Sequence, residues 1–283
     1  MPAGPLTTAD LDFFRANGYL HLKGFLPQAE IEPLRQDSAR LIARGIDKRI
    51  DDPTYCYGQD AQDANRQCLF RINDLIKTHD LDSVRLLLGH PKLLGAVQQA
   101  TGGDYFAAQV HSLVFKIPHR GYPVPWHQDP VKVYRWPVFN MDIYLDEANP
   151  DNGGLHVIPH SHLGGYYGTP EFVRAWTQGR EADAPGAVAV RTQPGDVLFH
   201  STSVLHGSFW NRSESLRRTL YLHFNHYQDV IMRPEDDGHR TEYLRAQQIT
   251  AEAIERRRQL RPDEKPFDYR LVDEAMMGLA AAQ

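Results

Sequence analysis

The stretch Leu216-Arg217-Arg218-Thr219-Leu220-Tyr221-Leu222-His223-Phe224 decides the fold class. Successive side chains of a strand point to opposite faces. Alternation puts Arg218, Leu220, Leu222 and Phe224 on one face, and Arg217, Thr219, Tyr221 and His223 on the other. A strand of this kind either turns its polar face to water or lines a polar cavity. Similar short runs, rich in Val, Ile, Phe and Tyr, fill the chain after Gly103: Gln109–Ile117, Phe139–Leu145, Leu155–Ile158 and Asp196–His200. Gly, Pro, Asn and Asp separate them, as between strands. Long helices are missing between most of these runs, which argues against a parallel βαβ sheet. A mainly β sandwich or barrel with flanking helices is expected.

Upstream, the sequence reads mostly helical. Thr7 or Thr8 caps a helix with Leu11 and Phe14 on its apolar face, and Asn17-Gly18 stops it. A short strand, Tyr19–Phe25, follows. Pro27 opens a second helix striped by Ile31, Leu34, Leu41 and Ile42, ending near Gly45. Residues 47–68 are polar and turn-rich, the pattern of a surface excursion. Leu81–Leu88 and Pro91–Ala100 are two further helical pieces, and residues 241–260 a charged amphipathic helix. The last twenty residues read as a tail laid on the surface. With no repeat and no clear linker, residues 1–283 are expected to form one domain: a helical part about 1–102, a β core about 103–230, and a helix and tail over 231–283.

The chain has 283 residues, 31 of them basic and 36 acidic, for a formal net charge of −5. Nucleic-acid binders carry a basic excess, so no nucleic-acid partner is expected. No apolar run reaches the length of about 18 residues that a membrane helix needs, so no membrane partner is expected. Met1–Asp12 lacks the basic flank and apolar run of a secretory leader, so a cytoplasmic, reducing compartment is the expectation. Nothing in the sequence bears on oligomeric state. There are only 2 cysteines, Cys56 and Cys68, against 14 histidines. Two thiols make neither a disulfide framework nor a four-thiolate site, so any metal must be held by histidine and carboxylate.

Trp126-His127-Gln128-Asp129 supplies a first pair of such groups. In an extended chain His127 and Asp129 share a face. Alone, the pair also fits a polar strand end in water. Downstream, Pro194–His200 reads as a turn and a buried strand, followed by Val204-Leu205-His206-Gly207-Ser208. His206, at the end of an apolar strand, offers a third ligand. Two histidines and one carboxylate on one face of a metal, with the other face open, form the facial triad of non-haem Fe(II) oxygenases. If the polar face of the opening stretch lines the same cavity, Arg217 can pair bidentately with a ligand carboxylate and Thr219 can add a hydroxyl bond. Otherwise Arg217 and Arg218 are a solvated basic pair.

The ordered set His127-Gln128-Asp129, Asn152-Gly153-Gly154-Leu155-His156-Val157-Ile158-Pro159-His160-Ser161-His162, Pro194-Gly195-Asp196, His206-Gly207-Ser208 and Arg217 resembles the phytanoyl-CoA dioxygenase family. The resemblance covers nearly the whole chain and includes Gly18-Tyr19-Leu20. It implies a double-stranded β-helix (a cupin-like jelly roll) using Fe(II), 2-oxoglutarate and dioxygen. By it, His127, Asp129 and His206 resemble the iron ligands, and Arg217 the partner of the far carboxylate of 2-oxoglutarate. Thr219, Ser208 and Gln128 stand where family members touch that co-substrate. The implied activity is hydroxylation of an unactivated carbon of a small molecule, with 2-oxoglutarate converted to succinate and carbon dioxide. Relatives that transfer halide lack the carboxylate that Asp129 supplies. Two positions depart from the family: His160 stands where the family usually has glycine, so an altered turn is expected, and Asp142 falls in a strand position where some members have tryptophan near the co-substrate, so a different inner wall is expected. On the substrate side Gln109, Tyr221, Trp126 and Lys116 are the leading candidates, with His111, Arg135, Trp136, Tyr144 and Arg71-Ile72-Asn73 behind them. The alternative is a zinc-binding or non-catalytic cupin-like jelly roll. It leaves Arg217 unexplained, and a zinc hydrolase motif such as His-Glu-x-x-His is absent.

Overall fold

The computed structural model describes residues 4–60, 63, 66–119, 121–131, 137–233 and 237–279. The helices are α1 Thr8–Asn17, α2 Gln28–Gly45, α3 Asp82–Leu88, α4 Pro91–Thr101, α5 Pro170–Thr177, α6 Tyr227–Ile231 and α7 Asp237–Leu260. The strands are β1 Tyr19–Leu22, β2 Tyr55–Gln59, β3 Gln67–Asn73, β4 Phe106–Lys116, β5 Val124–His127, β6 Phe139–Tyr144, β7 Leu155–Ile158, β8 Val188–Ala189, β9 Val197–Ser201, β10 Leu205–Ser208 and β11 Arg217–His226. They form two antiparallel sheets, ordered β1-β9-β6-β11-β4-β3-β2 and β5-β10-β7-β8. This is the jelly roll, with helices flanking the larger sheet.

Local chemistry explains the element ends. Thr7 and Asp10 form a reciprocal capping box on α1, and Gly18, left-handed at φ 77°, closes it. Pro91 stands at the start of α4, where its missing N–H costs nothing. The larger sheet then buries its two faces differently. Leu220, Leu222 and Phe224 of β11 join Leu113 and Phe115 of β4 and the apolar stripes of α2 to α4 in the main core. The opposite face meets the smaller sheet, where Tyr144 and Leu198 pack on Leu155 and Val157. Arg218, on the aliphatic side, escapes the core at the strand end by a two-pronged pair with Asp146, at 2.8 Å from both Nε and Nη2.

Two expectations fail. Residues 47–68 are not simply a surface excursion: β2 and the start of β3 lie there, with Tyr55 and Cys68 buried. β3 pairs with β4 and β2 forms the sheet edge on β3, so pairing with the rest of the sheet, more than alternation of their own residues, makes them strands. The tail is not merely laid on the surface. Val272 and Met277 are buried against Tyr243 and Ala246 of α7, and Gln247 bonds the Val272 backbone through both its amide atoms. His160 stands at the turn that follows β7. Its backbone holds the left-handed φ of 67° that suits glycine, and its Nδ1 lies 2.8 Å from the Ala16 carbonyl, which offsets the strain. Among the described residues, no helix is long and apolar enough to cross a membrane.

Candidate active site

β5 and β10 run antiparallel with His127 opposite His206, so both rings rise from one face, 4.2 Å apart at their centroids. The chain turns after His127, and the Asp129 amide donates to the Thr202 carbonyl at 2.8 Å. That bond brings Asp129 Oδ1 to 3.5 Å from His127 Nε2 and 3.7 Å from His206 Nε2. The three ligand atoms all lie within 4.8 Å of one another.

The protonation pattern follows from the hydrogen bonds. Nδ1 of His127 faces the Pro125 carbonyl and Nδ1 of His206 the Val204 carbonyl, each at 2.9 Å. A carbonyl only accepts, so each Nδ1 carries the proton and each Nε2 presents a lone pair. Burial, with His127 beside it, pushes His206 down to about 3, which keeps it neutral. Burial alone would raise the Asp129 carboxyl, but the His206, His127 and His200 rings outweigh it and hold the group ionised. Two lone pairs and a carboxylate oxygen thus converge with no donor hydrogen among them. A cation fits that arrangement, and ring N–H bonds to carbonyls are how metal-binding histidines are oriented.

A guanidinium nest lies in the same cavity. Arg217 is buried; Nη1 donates to Thr219 Oγ1 at 3.0 Å, and Nη2 to the Gly153 carbonyl at 2.7 Å and Ser208 Oγ at 2.9 Å. Its Nε is buried without a partner. Burial lowers its pKa, so the unpaired charge costs stability where it stands. Gly153 must be glycine: φ is 74°, and a Cβ would sit 2.4 Å from Lys116 Cδ and 2.8 Å from the Phe209 carbonyl. Lys116 pairs across the strands with Arg217. Its Nζ donates to the carbonyls of Tyr122 at 2.5 Å and Ser208 at 2.8 Å, and burial and then Arg217 push its pKa well down. The nest suits a carboxylate.

The cavity holds about 250 Å³ and is lined by His127, Asp129, His206, Ser208, Arg217, Thr219, Tyr221 and Lys116. Of the secondary candidates, Tyr144 and Arg71 line it as well. Three leading candidates do not. Gln128 points away and ties a loop, donating to the carbonyls of Gly165 and Ser203 and accepting from the Tyr167 and Gly168 amides. Trp126 packs on the outer face of the smaller sheet with Phe209 and Leu205, its indole N–H on the Glu181 carbonyl at 2.9 Å. Gln109 sits at the irregularity between β4 and β11 and accepts from Asn225. Among the secondary candidates, Ile72 is in the main core and His111 is buried outside the cavity. Arg135 and Trp136 lie outside the described residues.

Sequence reasoning passed over a second layer. Asn140 donates to Asp129 Oδ2 at 2.7 Å, lies 3.0 Å from His200 Nε2, and accepts from His223 Nδ1 at 2.8 Å. His200 Nδ1 lies 2.9 Å from Asp142 Oδ2, both fully buried and without the geometry of a linear hydrogen bond, and burial raises the pKa of the Asp142 carboxyl. Burial favours neutral His200, but Asp142 prevails and raises its pKa. Asn140, Asp142 and Tyr144 alternate along β6, so the period-two rule alone would have placed them on one face.

Residues 14–219 match the family model described as phytanoyl-CoA dioxygenase (PhyH). The chain belongs to the phytanoyl-CoA dioxygenase family. It is therefore an enzyme of the dioxygenase class. This family member is 26% identical over 224 residues to a probable alpha-ketoglutarate-dependent hypophosphite dioxygenase of Stutzerimonas stutzeri, covering 72% of this chain and 73% of that one. It is 28% identical over 231 residues to a methylphosphonate hydroxylase of Gimesia maris, covering 81% and 85%. Among solved structures, AviO1 from Streptomyces viridochromogenes Tue57 superposes with a TM-score of 0.66 at 32% identity, over 78% of this chain and 96% of that one.

Proposed function

We propose that this family member is an Fe(II)- and 2-oxoglutarate-dependent oxygenase that hydroxylates an unactivated carbon of a small molecule. The observation that carries the reading is the pairing of two unmet demands in one cavity: a donor-free cluster of His127, Asp129 and His206, and a buried guanidinium without an anion at Arg217. A zinc or non-catalytic jelly roll would use only the first. The names of the relatives, an alpha-ketoglutarate-dependent dioxygenase and a hydroxylase, agree with it. The two cysteines are free, in keeping with a reducing, cytoplasmic setting for a single domain.

In this reading His127, Asp129 and His206 hold the iron through Nε2, a carboxylate oxygen and Nε2. Iron with 2-oxoglutarate and dioxygen supplies the oxidising chemistry, in which C–H, dioxygen and 2-oxoglutarate become C–OH, succinate and carbon dioxide. Arg217 takes the far carboxylate of 2-oxoglutarate, with the Thr219 and Ser208 hydroxyls beside it. Gly153 and Lys116 keep that nest in shape. Asn140 holds Asp129 Oδ2, so Oδ1 alone faces the two Nε2 atoms. Asp129 occupies the position that a halide would need, which favours hydroxylation. Adding Fe(II) and 2-oxoglutarate anaerobically should produce the weak visible charge-transfer band of the chelate. Asp129→Ala should lose both that band's normal intensity and substrate oxidation; normal turnover in Asp129→Ala would sink the triad.

A further inference from the structure

The co-substrate reading leaves one cation of the cavity without a task. Arg71 lies on β3, half-buried, and lines the cavity. It faces Val114 across β3–β4, and Val114 faces Thr219 across β4–β11. With about 4.8 Å between neighbouring strands, Arg71 stands roughly 10 Å across the sheet from Thr219. It belongs to a different stretch of wall from the Arg217 nest.

Its guanidinium is oriented without being neutralised. Nε donates to Asn73 Oδ1 at 2.7 Å and Nη2 to Ser112 Oγ at 2.9 Å, while Ser112 Oγ donates to Asn73 Oδ1 at 2.8 Å. All members of this closed triangle except Arg71 are uncharged. Elsewhere among the described residues, the buried or half-buried arginines Arg35, Arg85, Arg218, Arg233, Arg240 and Arg257 each have a carboxylate oxygen within 4.0 Å. Arg71 and Arg217 are the two without one, and both line the same cavity. Beside Arg71, the rings of Phe70 and Tyr122 stack at 4.7 Å and also line it. A guanidinium fixed in advance, with Nη1 still open, is built to receive an oxyanion.

We propose that Arg71 anchors an anionic group of the primary substrate, a carboxylate or phosphoryl oxyanion, with the apolar part of that substrate against Phe70 and Tyr122. The proposal rests on the oxygenase reading, in which Arg217 serves 2-oxoglutarate and leaves Arg71 for the substrate. The volume of about 250 Å³, shared with the co-substrate, restricts that substrate to a small molecule.

The test uses wild-type protein loaded anaerobically with Fe(II) and 2-oxoglutarate, so that Arg217 is occupied. Phenylphosphonate, benzoate and uncharged benzamide are titrated in turn, followed by calorimetry and by the visible band. The wild type should bind at least one anion roughly ten- to a hundredfold tighter than benzamide. The tighter anion identifies the group. Arg71→Gln should abolish the preference while leaving the band intact, and Arg71→Lys should keep part of it. A normal band with no anion preference, or a preference that survives in Arg71→Gln, overturns the Arg71 assignment alone. Absence of the band in the wild type overturns the cofactor reading beneath it.

Discussion

Replacing Arg217 by methionine removes the unpaired charge while keeping much of the side chain's length. A hydrogen bond to a charged group is worth about 1.5–3 kcal/mol, so 2-oxoglutarate should bind roughly ten- to a hundredfold more weakly. The consequence can be read as heat stability. Ligand at a hundred times its dissociation constant stabilises a protein by about 2.7 kcal/mol, and a hundredfold loss of affinity cuts this to about 0.4 kcal/mol. For a chain of this size the ligand-induced rise in Tm should shrink from about 5–10 °C to about 1 °C. The ligand-free variant should unfold no lower than the wild type. Arg217 carries a desolvated charge with an unpartnered Nε, and the Gly153 carbonyl keeps the Ser208 hydroxyl at 2.8 Å as a donor when Arg217 is gone. Differential scanning calorimetry of both proteins, with and without metal and 2-oxoglutarate under anaerobic conditions, measures all four states. A folded Arg217→Met protein that is stabilised by 2-oxoglutarate as much as the wild type would refute the reasoning and shift the role to the adjacent Lys116. Arg218 is no substitute, because Asp146 already holds it at 2.8 Å.

Asn140→Ala should free Asp129 to rotate and lower metal affinity by about tenfold or more, as removal of groups that orient metal ligands does; Co(II) titration measures it, and unchanged affinity would count against Asn140 as a positioning residue. Stability should fall in mild acid. His90 and His226 accept backbone N–H bonds as helix caps through Nδ1, and burial pushes both down to about 4, with Arg257 adding to the effect at His90. Each is depressed below its unfolded value of about 6.5, so the unfolded chain binds more protons in between. Stability is then full above about pH 6.5 and lost as pH falls toward about 4, by about 1 kcal/mol per residue at pH 5 after allowance for solvent screening. His226→Asn, a cap that does not titrate, should show a smaller drop in Tm between pH 7 and 5; an equal drop would exclude His226 as a source.

Much of the site was legible because it depends on neighbours in the chain. Alternation along β11 placed Arg217, Thr219 and Tyr221 on one face, and all three line the cavity. The i, i+2 spacing of His127 and Asp129 brought an imidazole and a carboxylate together. The same parity argued against Gln128 and Trp126, which flank His127 and point to the other side, although the family resemblance set Gln128 beside the co-substrate. Gln109 was beyond such reasoning, since the register irregularity of β4 at that point depends on its partner strand.

The amino-acid order by itself determined the period of each strand, the caps of α1 and α4, and the chemical kind of each ligand, because these interactions close within a few residues. Only the tertiary structure decided that His127 stands opposite His206, that Asn140 braces Asp129, and that Arg71 and Arg217 are buried or half-buried without carboxylates. Those outcomes depend on which sheet faces meet and on how far water is excluded between them. Both are sums over residues distant in the chain, and no local pattern records them.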